Sequence, residues 1–367
     1  MSAQQTIIVG MSGGVDSSVS ALLLKQQGYQ VIGLFMKNWE ESDEWGRCKA
    51  ADDYDDVRRV CDSLAIPHYT MNFAQEYQKA VFEKCIADFK IGLTPNPDIL
   101  CNREIKFKVF FEKAMELGAS FLATGHYCQN KNATLVKGKD PNKDQTYFLY
   151  AINRSVLPKV LFPIGDLIKP HVRQIAQQHQ LITANKKDST GICFIGKRDF
   201  REFLSQYVST TPGNFETLDG KIVGKHMGTA FYTLGQRKGL AIGGAGEAWF
   251  VVGKDLVHNV VIVIQGSDHP ALYCDELRAT QLNWLITSPT LPYKCQAKVR
   301  YRQTDQPCTI YQDKDDSNMV KVVFDQPQRA VTPGQSIVFY DGEICMGGGI
   351  IKNTGPSYYH MHKALCD

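Results

Sequence analysis

Three stretches of the chain combine residue types and spacings suited to chemistry. The first is Gly10-Met11-Ser12-Gly13-Gly14-Val15-Asp16-Ser17-Ser18, directly after the apolar run Ile7-Ile8-Val9. Gly13 and Gly14 can take backbone conformations closed to other residues and leave N–H groups bare. Ser12, Ser17 and Ser18 add hydroxyl donors. A helix beginning near Ser17 would aim its positive end at the loop, which makes a cradle for phosphate. Without the lysine of G-x-x-x-x-G-K-[ST] it is not a Walker A loop. Asp16 would repel a phosphate unless a cation lay between them, which implies Mg2+. Read another way, residues 10–14 fit the G-x-S-x-G elbow of serine hydrolases. That reading is disfavoured: no earlier strand carries a second oxyanion-hole loop, and no partner acid and histidine stand out.

The second stretch is Asn96-Pro97-Asp98-Ile99-Leu100-Cys101-Asn102-Arg103-Glu104-Ile105-Lys106-Phe107. Asn96 can cap a helix whose first residue is Pro97. Asp98 and Cys101 then stand three apart on one face. The helix start, Arg103 and Lys106 would favour a thiolate at Cys101. The third stretch is Asp188-Ser189-Thr190-Gly191-Ile192-Cys193-Phe194-Ile195-Gly196. Its glycines suit an exposed, mobile loop, and Lys197 and Arg198 again favour a thiolate. An arbitrary cysteine is more often a small buried residue; these neighbourhoods weigh against that for both.

Elements must bring these stretches together. Short apolar runs predict strands at 6–11, 31–36, 68–73 and 121–124, alternating with helical patterns at 17–27, 52–64, 75–90 and 106–117. Alternation of this kind implies an α/β fold with a doubly wound parallel sheet. Ligands of such sheets sit beyond the carboxyl ends of the strands, where the opening loop, Met36, Gly125 and His126 fall. After about residue 207 the pattern changes. Glycines become dense, then alternating stretches at 298–301, 320–324 and 336–340 are separated by turn signals at Gln306-Pro307, Gln326-Pro327, Pro333-Gly334 and Asp341-Gly342. The expected domains are therefore residues 1–207, a small β-rich central domain at 208–276, and a C-terminal β-barrel at 277–363.

A chain of 367 residues with 43% hydrophobic and 22% charged residues fits a soluble protein of two or three domains. No apolar run is long enough for a bilayer. Met1-Ser2-Ala3-Gln4-Gln5 lacks the basic start and apolar core of a signal peptide, so a cytoplasmic location is expected. Eleven scattered cysteines without a C-x-x-C pair argue against a disulfide scaffold and against common zinc or iron–sulfur spacings. Net charge is only +3, but it is unevenly spread. Acids crowd Glu40–Glu44 and Asp52–Asp56. From Lys221 to Gly246, and again from Lys294 to Arg302, there are bases and no acids. Such patches suit either a phosphate-rich partner or a solvated face.

Residues 12–18 resemble the S-G-G-x-D-S-[ST] PP-loop of the N-type ATP pyrophosphatases, which cleave ATP to AMP and pyrophosphate. That motif alone does not choose among tRNA lysidine, GMP and NAD synthetases and the tRNA thiolases. The two cysteine stretches do. With Met36, Gly125-His126, Lys143-Asp144-Gln145, Arg300-Tyr301 and Pro333-Gly334-Gln335, they resemble the tRNA-uridine 2-sulfurtransferases along nearly the whole chain.

The resemblance implies adenylation of the C2 oxygen of the wobble uridine, at position 34 of tRNA, followed by sulfur transfer that yields 2-thiouridine. It implies ATP as substrate, with Mg2+, and tRNA and a sulfur-relay protein as partners. A persulfide on Cys193 would supply sulfur, Cys101 would release it, and a transient Cys101–Cys193 disulfide would result. Asp98 resembles the general acid/base. ATP contacts are expected at Gly10, Met11, Ser12, Gly13, Gly14, Val15, Asp16, Ser17, Met36 and Gly125. For tRNA they are expected at Asn96, Pro97, Asp98, His126, Lys143, Asp144 and Gln145, and at Arg300, Tyr301 and Gln335. A monomer is expected. Rival readings are a 4-thiouridine-type thiolase, which would carry further RNA-binding and rhodanese-like modules, and an amidotransferase, which needs a glutamine-hydrolysing domain. A third is a non-catalytic ATP-dependent RNA-binding protein, which would need no thiolates.

Overall fold

The computed structural model describes residues 4–39, 49–188 and 199–365. Cys193, with residues 189–198, and the acidic residues at 40–44 lie outside them.

The first part of the chain runs β1 (Thr6–Met11), α1 (Val15–Gln26), β2 (Gln30–Lys37), α2 (Lys49–Ser63) and β3 (His68–Asn72). Two helical runs, 74–90 and 97–116, lead to β4 (Phe121–Ala123). A hairpin, β5 (Cys128–Lys131) and β6 (Thr134–Lys137), precedes β7 (Val160–Leu161). The sheet order is β3-β2-β1-β4-β7, and every pairing is parallel.

Strand alternation explains why helices cover both faces. Ile7, Val9 and Met11 pack with Val19, Val57 and Val172. Ile8 turns the other way, to Phe73, Tyr77 and Phe110. A parallel sheet buried on both sides needs this double cover. The chain builds outward from β1 to β3, then returns to β4 on the opposite side. That reversal opens the crevice of a doubly wound sheet at the carboxyl ends of β1 and β4.

Helix boundaries shift from those expected, and α2 begins three residues early, at Lys49. Helix α1 starts at Val15, because Gly14 takes the extended N-cap conformation and closes the loop early. The helix expected at 106–117 joins the one capped by Asn96. Pro97–Leu100, Cys101–Val109 and Phe110–Glu116 form one run whose middle segment is wound wide. Such π-type widening often marks a functional position, and Cys101 is its first residue.

The middle of the chain forms a four-stranded sheet from β8 (Gly213–Glu216), β9 (Ile222–His226), β10 (Trp249–Asp255) and β11 (Val260–Gln265), in the order β10-β11-β8-β9. Six antiparallel strands follow: β12 (Tyr273–Trp284), β13 (Tyr293–Lys298), β14 (Gln306–Gln312), β15 (Val320–Arg329), β16 (Ser336–Asp341) and β17 (Ile344–Thr354). They close on themselves because β17 pairs with β12. The β5–β6 hairpin of the first part attaches to this barrel through Val136, opposite Ile344 of β17.

Three local expectations for the barrel are corrected. The strand expected at 298–301 ends at Lys298, and Arg300-Tyr301 lie in the connection to β14. Gln306-Pro307 is not a turn: Pro307 pairs with Gln296 inside the β13–β14 ladder. Gln326-Pro327 also lies within a strand. There the register between β12 and β15 jumps, from Glu276↔Val323 to Cys274↔Gln328, so Pro327 falls where no ladder hydrogen bond is required.

Candidate active site

The glycine loop after β1 is held by its own hydroxyls. Ser17 Oγ accepts from Ser12 N at 3.2 Å and donates to Gly14 O at 3.1 Å. Ser18 Oγ donates to Gly14 O at 2.8 Å and is fully buried. Ser18 therefore braces the helix start instead of offering a free donor, a correction to the expectation for that hydroxyl. Ser12 is the exposed one of the three. Two glycines are dictated by close approach. Gly13 has φ +72°, and a Cβ there would lie 2.5 Å from the Asp53 carbonyl of α2. A Cβ on Gly125, just past β4, would lie 2.8 Å from the Asp16 carbonyl carbon and the Ser17 nitrogen. Strand β4 can thus abut the amino end of α1 only through glycine. Met36 lies near the end of β2, opposite Met71 of β3.

Asp16 has a protein cation. Lys169 Nζ donates to both its carboxylate oxygens at 2.8 Å, and Tyr127 Oη donates to one at 2.7 Å. Lys169 opens the helix Lys169–Gln178, is 8% exposed, and also pairs with Asp188 at 2.8 Å. Asp188 further receives Lys143 at 2.7 Å and Arg173 at 2.9 Å. Burial alone would raise the Asp188 carboxyl. Hydrogen bonds from Lys143 and Lys169 outweigh it and hold the group at about 2. Lys169 thus supplies a positive charge at Asp16, whose side chain stays 30% exposed. Lys169 and Tyr127 escaped the sequence reading. Lys169-Pro170 signals a helix start, but nothing in the sequence ties it to Asp16.

On the other side of the crevice, Asn96 caps the 97–116 run, its Oδ1 accepting from Ile99 N at 3.3 Å, with Pro97 in the first turn. The run crosses beneath the loop. A Cβ on Gly10 would touch the Phe110 ring at 3.4 Å, and Phe107 lies 5.7 Å from the His126 ring. His126 is also flanked by Phe162 at 6.2 Å, and its Nδ1 is 2.8 Å from Thr124 Oγ1. Burial, and then Lys106, hold this imidazole well below the usual histidine range, so it is neutral. Asp98 has an exposed side chain over a densely packed floor. Desolvation by that floor raises its carboxyl, with Lys106 pulling the other way. A carboxyl of raised basicity suits proton transfer. Cys101 is 4% exposed and packs in the core with Ile105 and Phe107.

The barrel completes this wall. Gln335 Nε2 donates to Thr94 O at 2.7 Å, and Thr94 N donates to Pro333 O at 3.3 Å. The loop leading into Asn96 is therefore braced from the far end of the chain. The Tyr301 ring packs on Phe148 at 4.5 Å, tilted by 51°, and Phe148 O accepts from Asn102 Nδ2 at 3.0 Å. Arg300 is exposed beside it.

Family models match the chain in three successive parts: a tRNA methyl transferase HUP domain at 5–197, a tRNA methyl transferase PRC-barrel domain at 201–265, and an aminomethyltransferase β-barrel domain at 274–351. Full-length relatives are more decisive. The tRNA-specific 2-thiouridylase MnmA of Protochlamydia amoebophila is 68% identical, over 100% of this chain and 98% of that one. The proteins of the same name from Halalkalibacterium halodurans and Stutzerimonas stutzeri are each 56% identical, over 96% and 95% of this chain and 95% of each relative. The chain belongs to the tRNA-specific 2-thiouridylase family.

In this thiouridylase Gly125 abuts the amino end of α1, and the helical run that begins after Asn96 reaches Gly10 through Phe110 and His126 through Phe107. Other expected contacts face inward. Asp144 is 6% exposed and accepts from Gly138 N and Thr146. Gln145 Oε1 accepts from Tyr127 N at 2.9 Å. The basic stretch 294–302 divides: Lys298 turns in toward Asp144 and Asp305, whereas Lys294, Arg300 and Arg302 remain exposed. In the central sheet Lys221, Lys225, Arg237 and Lys238 are exposed, and His226 is buried against Phe215 and Tyr232.

Proposed function

We propose that this protein makes 2-thiouridine at the wobble position of tRNA, in an ATP-dependent reaction. The reading rests on full-length likeness to thiouridylases in a chain whose Gly10 packs on Phe110 of the same helical run that carries Asp98 and Cys101.

ATP lies with its phosphates on Ser12–Gly14 and the amino end of α1, and Gly125 lets β4 close the crevice beside it. The C2 oxygen of the uridine attacks the α-phosphorus, and pyrophosphate leaves. A urea-like carbonyl is a poor electrophile, and adenylation turns its oxygen into a leaving group. The terminal sulfur of a Cys193 persulfide then attacks C2, and AMP departs. The Cys101 thiolate attacks the Cys193 sulfur and breaks the S–S bond. The base keeps the outer sulfur and its electron pair, and Cys101 and Cys193 are left as a disulfide for external thiols to reduce. Asp98 accepts and returns the proton. Because Cys101 is buried, RNA must uncover it as the wobble base enters, splayed from the single-stranded loop. Mg2+ accompanies ATP, and no step runs through Asp16. A relay protein recharges Cys193, and the reaction belongs in the cytoplasm, carried by a monomer.

Mass spectrometry of tRNA nucleosides tests this, after incubation with ATP, Mg2+ and a persulfide donor. Wild type is expected to form 2-thiouridine, and Cys101→Ala and Cys193→Ala to form none. Pyrophosphate release without any thiolated base would sink the sulfur chemistry and leave only adenylation. A base thiolated at C4 would favour the 4-thiouridine reading.

A further inference from the structure

The barrel holds a second pair of cysteines that the reaction does not use. Cys295 on β13 stands opposite Cys308 on β14, and their sulfurs are 3.8 Å apart. We propose that Cys295 and Cys308 form a redox-active dithiol that reacts with low-molecular-weight disulfides and staples the β13–β14 hairpin.

Geometry favours closure. Residues opposed across an antiparallel ladder have Cα atoms about 4.5–5.5 Å apart, inside the roughly 4.4–6.8 Å that a disulfide spans. The sulfurs must approach by about 1.8 Å to reach bonding distance, which side-chain rotation can supply. Access favours an order of events. Among the described cysteines Cys295 alone is not buried, while Cys308 is 3% exposed in the barrel core. Cys308 keeps its proton, since the hydrogen bond it gives to Cys295, and then burial, push its thiol up. Cys295 is thus the attacking sulfur. It displaces one thiolate from the small disulfide and is left as a mixed disulfide. Cys308 then attacks the Cys295 sulfur and expels the second thiolate. The pair gives up two electrons and two protons, and one small disulfide becomes two thiols.

Position gives the bond a consequence. The Cys295–Cys308 rung is followed by Ala297↔Gln306, and beyond it the chain turns through Arg300, Tyr301 and Arg302. A covalent rung so near the tip restrains the loop that packs Tyr301 against Phe148. Formation of the bond does not depend on what that loop binds.

The test is peptide mapping after exposure to glutathione disulfide. Trypsin would release residues 295–298 and 303–314 as separate peptides from reduced protein. The expected result is that these two stay joined, two hydrogens lighter than their sum, until dithiothreitol parts them. Cys295→Ser, at a partly exposed site, should abolish the joined peptide, and Cys193→Ala should leave it intact. Glutathione held stably on Cys295 with no joined peptide would overturn the proposal. So would a joined peptide that disappears in Cys193→Ala, because oxidation would then come from the reaction's own sulfurs.

Discussion

Lys169 Nζ stands 2.8 Å from both carboxylate oxygens of Asp16 and 2.8 Å from Asp188. One buried ammonium group therefore ties the glycine loop to Asp188, the first residue of the Cys193 stretch. Lys169→Met would leave two carboxylates facing each other without that cation. Charge-assisted hydrogen bonds contribute about 1.5–3 kcal/mol, so apparent ATP affinity should fall by about tenfold to a hundredfold. The Asp188 carboxyl, held at about 2 by Lys143 and Lys169, should also titrate at higher pH. Its depressed value stabilises the fold above the ordinary carboxylate range, and that contribution fades as pH falls from about 4 toward 2. Carboxyl NMR of wild type and variant would show it; an unmoved Asp188 would refute the coupling.

His126 makes a prediction of opposite reach. Its imidazole titrates well below the ordinary value when folded and near about 6.5 when unfolded. The unfolded chain therefore takes up the proton first, and stability falls as pH drops below about 6.5. The loss between pH 7.5 and 5.5 should be about 1 kcal/mol. His126→Phe, which keeps a ring between Phe107 and Phe162, should lose less over that interval. Urea midpoints at the two pH values measure it, and equal losses would remove His126 from the account.

Gln335 lies on the barrel, yet it should affect chemistry at Asp98. Its amide bond to Thr94 O fixes the loop entering the Asn96 cap. Gln335→Ala should cost about 1 kcal/mol, or about fivefold in kcat/KM for tRNA. KM for ATP should not change, because the hydrogen bonds that hold the glycine loop come from Ser17, Ser18 and Lys169. A change in ATP KM alone would place the effect elsewhere.

Arg300 and Tyr301 should separate charge from ring packing. Arg300→Ala should make the dependence of log tRNA affinity on log salt shallower by about 0.7–0.9. Tyr301→Ala removes the tilted ring contact with Phe148 and should weaken binding by about threefold to tenfold, with the salt slope unchanged. Filter binding across a salt series distinguishes them, and an unchanged slope in Arg300→Ala would mean that it meets no phosphate.

Four strands of the parallel sheet were legible as short runs bounded by helical periodicity, whereas the two-residue β7 is too short to show a pattern. The glycine loop was legible because positive φ and close approach leave no other residue to use. Pro307 and Pro327 misled for the converse reason. Proline reads as a turn locally, but an edge of pairing or a register jump will hold it inside a strand, and that depends on a partner far along the chain. Lys169 and Tyr127 were missed on the same ground, and Gln335, expected as a tRNA contact, gave no sign of its bond to Thr94. Each acts through a contact between distant segments, and no local spacing encodes it.

The hairpin from the first part of the chain sets an order for synthesis. Val136 finds its partner at Ile344, about 200 residues later. At the usual pace of a ribosome, about 5–20 residues each second, that partner emerges roughly 10–40 s after the hairpin. During this interval β6 carries Leu135 and Val136 on an open edge, and an open edge pairs with whatever strand arrives. On a crowded polysome the nearest completed β17 can belong to the neighbouring nascent chain, so the hairpin is where two copies would exchange strands.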